Sequence, residues 1–214
     1  MATNKTIEEK IAEGRQYRSI DLTEFESYGE DIGLMIVEGY ATTFNEPYVL
    51  WHDDDFTFRE QVDPAAFEAA DMSDVIMQYD HAGRVFARIS NYTLEVTPDE
   101  HGLRIRAKLG GTEIGRQLYE EIKGGYTNKM SFGFTVEEDR LDREDKEVLR
   151  TITKIGKLYD VSAVSLPAND ATTISARSYC EGVIAEIREE LAKREEEERK
   201  RQEKIKRLKL LTEL

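Results

Sequence analysis

The stretch "EIREELAKREEEERKRQEKIKRLKLL", residues 186–211, limits the fold more than any other part of the chain. It contains no Gly and no Pro. Its apolar residues gather at the ends: Val183, Ile184, Ile187 and Leu191 before it or at its start, and Ile205, Leu208, Leu210 and Leu211 at its close. Glu189, Glu190, Glu195, Glu196 and Glu197 each have a Lys or Arg four residues later, a spacing that supports a helix by a few tenths of a kcal/mol per pair, about 0.2–0.5. The middle offers no apolar seam, which a coiled coil would need. The segment therefore predicts a long, solvated, charged helix. A hydrophobic core has to come from the residues before it.

The charge divides in the same way. From Glu181 to Leu214, ten Glu balance ten Lys plus Arg, so the whole net charge of -14 falls on residues 1–180. A body that acidic repels phosphate backbones, which argues against a nucleic-acid partner. Apolar residues make up 39% of the chain, and no apolar run approaches the roughly 20 residues of a membrane span. No membrane partner is expected. The opening "MATNKTIEEKIAEGRQYRSI" lacks the apolar stretch of a secretory signal. Cys180 is the sole cysteine, so no internal disulfide can form and a reducing compartment fits.

Three regions follow: a polar, weakly helical flexible leader over 1–16, an α+β domain over 17–178, and the helical tail over 179–214. Within the domain, "LMIVEGYATTF" (34–44) and "DVIMQYDH" (74–81) read as strands, the second ending at a turn-like "AGR". "DPAAFEAA" (63–70) reads as a short helix, with Asp63 as N-cap and Pro64 at the first helical position. "YTLEV" and "GLRIRAKL" form a hairpin around "TPDEHG". "TEIGRQLYEEIKGG" (112–125) is an amphipathic helix, with Ile114, Leu118 and Ile122 on one face, Thr112 as its cap and Gly124 and Gly125 as its stop. "EEDRLDREDKEV" (137–148) is charged enough to read as an exposed hairpin tip or loop. "LRTITKIGKLYDVSAVSL" (149–166) returns as one or two strands, closed by "PAND".

Chemistry concentrates in a few positions. In "YTNKMSFGFTV" (126–136), Met130, Phe132, Phe134 and Val136 alternate with Ser131, Gly133 and Thr135. A strand sends these two sets to opposite faces. Ser131 is then either an ordinary strand serine or a nucleophile on a bare face, with Gly133 leaving the approach open to a peptide. His81 closes an apolar strand beside a turn, where scaffolds present functional side chains. His101 reads as a surface residue in a turn. His52, in "WHDDDF", reads as part of an exposed acidic loop rather than a metal site. Asp160 falls inside an apolar strand. It is either an edge aspartate facing water or a buried acid with a partner, since an unpartnered buried carboxylate is costly. Together the three supply a nucleophile, a base and an acid that orients the base.

Five blocks in register resemble the prohead (capsid maturation) proteases of tailed phages. They are "VEGYATTFNEP", "FREQVDPAAFEAA", "VIMQYDHAGRVFARI", "HGLRIRAKLGGTEIGRQLYEEIKGGYTNKMSFGF" and "KIGKLYDVSAVSLPANDATTISA". The resemblance implies a herpesvirus-protease-like fold, with a closed β-barrel-like core ringed by helices, and a serine endopeptidase active inside the assembling prohead in the cytoplasm of an infected bacterium. It places Ser131 at the nucleophile, His81 at the base and Asp160 where an acid, usually Glu, is expected. Ala87 stands where a glycine is expected. Arg84, Arg88 and the backbone N–H near Phe132 are candidates for stabilising the oxyanion. The implied partners are the major capsid protein and its scaffolding segments, together with the chain's own flanks and self-association. No metal or cofactor is implied. The competing reading is a non-proteolytic assembly or scaffolding protein that keeps the fold.

Overall fold

The computed structural model describes residues 7–21, 26–28, 35–165 and 170–212. The "PAND" closure begins outside the described residues, and so does the first part of the leader. Two compact units emerge, Met1–Ala176 and Arg177–Leu214. The second consists of helix, the greater part of α3 (Asp170–Thr212). Its middle carries the expected ladder of exposed pairs, including Lys193–Glu189 at 2.6 Å and Lys200–Glu196 at 3.3 Å.

In the first unit the chain runs through α1 (Ile7–Ala12), β1 (Gln16–Asp21), β2 (Glu26–Tyr28), β3 (Ile36–Thr43), β4 (Tyr48–His52) and β5 (Thr57–Val62). It continues through a 3-10 turn (Pro64–Phe67), β6 (Ile76–Tyr79), β7 (Ala82–Arg88), a second 3-10 turn (Ile89–Asn91), β8 (Leu94–Pro98) and β9 (Gly102–Lys108). Helix α2 (Glu113–Lys123) and the long strands β10 (Lys129–Glu144) and β11 (Glu147–Val164) complete it. The local signals act as their chemistry demands. Asp63 accepts a hydrogen bond from the Ala65 N–H, and Thr112 accepts one from the Gly115 N–H. Such caps satisfy donors that the first helical turn leaves open. The 63–70 segment holds only a single 3-10 turn.

One correction concerns the leader. From residue 7 onward it is structured, with α1 followed by a strand that begins at Gln16. Residues 137–148 form the exposed hairpin tip that their charge predicts. Charged residues continue both arms of the β10–β11 hairpin as paired strands down to the turn at Asp145 and Lys146. They stay in the sheet because β11 is held along its other edge by β5.

The second correction is the barrel. Strand β11 pairs antiparallel with β10 along one edge. Along its other edge it takes two parallel partners in turn, β5 over Glu147–Ile152 and β6 over Asp160–Ala163. The sheet therefore forks, with the order β1-β10-β11-β5-β4 and a β6–β7 branch. A separate sheet runs β2-β3-β9-β8. Among the described residues no pairing joins the two sheets into a closed barrel, and α1 and α2 do not make a ring. Both sheets contribute to one apolar core, with Val37, Leu103, Ile105, Phe132, Phe134, Leu158 and Val161 from the strands and Leu118 from α2.

Candidate active site

The register of three strands builds the floor of the site. Ser19, Ser131 and Ser162 stand in one cross-strand row, and Tyr17, Gly133 and Asp160 in the next. Because strand side chains alternate, these rows share a face, while Met130, Phe132 and Phe134 point into the core.

His81 reaches that face from a turn. Tyr79 pairs with Ala82, and the two residues between them, Asp80 and His81, have φ of 48° and 57°. Two left-handed residues make the tight hairpin turn that Asn-Gly usually occupies. Side chains larger than Gly cost about 1–2 kcal/mol each in that conformation. The turn therefore falls at Asp80 and His81, just before "AGR", which opens β7. Surrounding groups hold it in place. The Asp80 carboxylate accepts from the Ser165 N–H at 2.9 Å and from the Ser165 hydroxyl at 2.9 Å. The Asp80 N–H donates to the Ala163 carbonyl at 3.0 Å. Lys10 Nζ donates to the His81 carbonyl at 2.8 Å.

The structure brings the three sequence candidates together. His81 Nε2 lies 2.6 Å from Ser131 Oγ, and His81 Nδ1 is paired with Asp160 Oδ1. Ser162 Oγ donates to the same carboxylate oxygen at 2.8 Å. An ionised Asp160 can only accept, so Nδ1 carries the proton and Nε2 is free to accept from the serine. Exposure is 1% for Ser131, 4% for His81 and 1% for Asp160. Asp160 is not an edge residue, since β10 and β6 flank it. Burial alone would raise its pKa. The charge and hydrogen bond of His81, with help from Ser162 and Lys10, hold it below the ordinary aspartate value.

Gly133 has a different role from the one its place beside Ser131 suggests. A Cβ there would sit 2.5 Å from Asp160 Oδ2 and 2.7 Å from the Tyr17 ring. The missing side chain makes room for the acid and for Tyr17, not for a substrate. Tyr17 packs on His81 with ring centroids 4.3 Å apart. Its hydroxyl is buried without a hydrogen-bond partner. Burial, reinforced by the Asp160 charge, pushes that phenol up to about 12.

Other candidates separate from this cluster. Arg88 is engaged on the surface by Asp74, at 2.9 and 2.7 Å. Arg84 lines a cavity of about 560 Å³ with Tyr79, Phe86, Ile114 and Leu118. Ala87 is buried in the core opposite Met77, so a glycine there would not widen the site. His52 and His101 are exposed. Asp53, beside His52, accepts from the Asp55 and Phe56 N–H groups and so shapes its own loop. No group of three His, Cys, Asp or Glu suited to a metal occurs among the described residues.

Sequence reasoning missed Ser162, Lys10 and Tyr17. The spacing of Ser162, two residues beyond Asp160 in one strand, already placed it on the same face. Lys10 had no local signal, because its contact spans 71 residues of chain.

A family model described as caudovirus prohead serine protease matches residues 20–183, well over half of the chain. The chain is a member of that prohead protease family. Comparison with curated proteins and with solved structures returns no match. Membership makes this prohead protease a peptide hydrolase of the serine class with a role in phage capsid maturation. Among the described residues, no helix is long and apolar enough to cross a membrane.

Proposed function

We propose that Ser131, His81 and Asp160 are the catalytic triad of this prohead protease, and that it cleaves capsid-protein scaffolding segments and its own flanks inside the assembling prohead. The observation that carries the reading is the continuous hydrogen-bond chain from Ser131 Oγ through both ring nitrogens of His81 to Asp160. His81 Nε2 takes the serine proton as Oγ attacks the scissile carbonyl. Asp160 fixes the ring tautomer and stabilises the imidazolium that forms. The proton then passes to the leaving amine as the C–N bond breaks. Water, activated by the same imidazole, hydrolyses the acyl-enzyme and returns the hydrogen to Ser131. An aspartate in the place of the usual glutamate suits this geometry, because the Asp160 carboxylate already meets Nδ1 and the space around it is filled by Tyr17 and the Gly133 backbone.

Co-expression with the major capsid protein of the same genome tests the reading. Wild type shortens the capsid protein or itself, and Ser131→Ala leaves both intact. If wild type and variant alike leave every band unchanged while particles assemble, the non-proteolytic scaffolding reading replaces this one.

A further inference from the structure

Helix α1 lies outside the sequence-predicted protease domain, yet it delivers a charged group to the turn that carries the proposed base. Lys10 is 9% exposed, and its ammonium donates to the main-chain carbonyl of His81 at 2.8 Å. Long cationic side chains ordinarily keep their charged head in water. Enclosing one is unfavourable unless a partner compensates. The partner here is the carbonyl of a residue held in the left-handed region, which makes the contact a clamp on a strained peptide.

Resting on the protease reading, we propose that Lys10 is a positioning residue for catalysis, clamping the His81 turn so that the imidazole bridges Asp160 and Ser131. The groups that face His81 come from every side. They are Asp160 and Ser162 from β11, Ser131 from β10, Tyr17 from β1, Asp80 from the turn and Lys10 from α1, with the Arg15 charge acting on Tyr17 and Lys10 while its guanidinium lies 3.5 Å from the centre of the Tyr159 ring. Lys10 acts on two of them. It fixes the His81 carbonyl by hydrogen bonding, and its charge favours the ionised form of Asp160. The N-terminal segment is thus coupled to the triad, and displacing α1 would loosen the base without touching the nucleophile.

Lys10→Met and Lys10→Gln test this in the full chain. The methionine removes donor and charge at nearly constant volume, and the glutamine keeps a donor without charge. The first variant is expected to lower kcat by 10-fold or more with KM within about twofold. The second is expected to retain most of kcat. A one-dimensional proton spectrum provides a readout independent of turnover. The downfield signal of the His81 Nδ1–H held by Asp160 is expected in wild type and broadened or lost in Lys10→Met. Thermal melts identify a Lys10→Met that fails to fold, in which case Lys10→Leu, which also removes donor and charge, is measured in its place. An unchanged kcat and ring-proton signal in folded Lys10→Met overturns the proposal. If wild type cleaves nothing, the protease reading fails separately, and the ring-proton signal still reports whether Lys10 holds His81.

Discussion

Strand β1 belongs to two buried polar clusters, and their contrast separates structure from chemistry. Tyr17 faces the proposed triad, while its neighbour Arg18 faces a network of charges. In that network Glu60 accepts from Arg18 at 3.0 Å, from Arg150 at 2.8 Å and from the Tyr48 hydroxyl at 2.5 Å. Arg150 also reaches Asp139 at 2.6 Å and Gln16 at 3.0 Å. Burial would raise the Glu60 pKa, and the two guanidinium groups hold it below the usual range instead. The two cations and two anions balance, and none of these residues has a positive φ. The triad cluster is built otherwise. It holds two left-handed residues, an enclosed ammonium and a phenol hydroxyl without a partner. A network that only ties β1, β4, β5, β10 and β11 together can satisfy every group. The other cluster keeps residues in sparsely populated backbone conformations, a feature that supports the proposed catalytic role.

The contrast breaks most sharply in paired variants. Ser131→Ala is expected to lower peptide cleavage by about 10⁴-fold or more while leaving the melting temperature nearly unchanged. Glu60→Gln is expected to do the reverse. It leaves two buried guanidinium groups undercompensated and lowers unfolding free energy by about 3–5 kcal/mol, with cleavage per folded molecule and its pH profile retained. Urea denaturation beside a peptide assay checks both. An equal loss of activity in the two variants would dissolve the distinction.

Gly133→Ala sits between these extremes, because its methyl group enters the triad cluster without removing a reacting atom. Expected are a loss of cleavage of about 10²-fold, as a roughly 1 Å displacement of reacting groups can cause, and a destabilisation of about 1–3 kcal/mol from overpacking. Denaturant melts and steady-state rates separate the two effects.

Acid titration sharpens the comparison further. Asp160 and Glu60 both have folded pKa values below their unfolded ones. Their stabilisation is therefore complete above the unfolded carboxylate range, about 3.9–4.3, and is lost as pH falls through the lowered folded values. Stability measured from pH 7 down to pH 3 is expected to fall less steeply in Glu60→Gln than in wild type. The smallest effect belongs to Tyr17→Phe. Removing a buried hydroxyl that has no partner should raise stability by up to about 1 kcal/mol, the opposite sign from the loss at Glu60. A melting temperature that falls instead would show that the hydroxyl contributes to holding β1.

The sequence by itself determined whatever depends on neighbours along the chain. The charge-laced helix, the caps at Asp63 and Thr112, the β8–β9 hairpin and the alternation around Ser131 all follow from residues within a few positions of one another. The three site candidates were legible as residue types in strand contexts, and the family blocks ordered them. Tertiary structure decided the rest. It placed His81 inside a left-handed turn, gave the space beside Gly133 to Asp160 and Tyr17, brought Lys10 to a carbonyl 71 residues away and forked the sheet at β11 instead of closing it. Each of these depends on cross-strand register and on which strand takes an open edge. Those choices are set by packing between distant segments, which local periodicity does not encode.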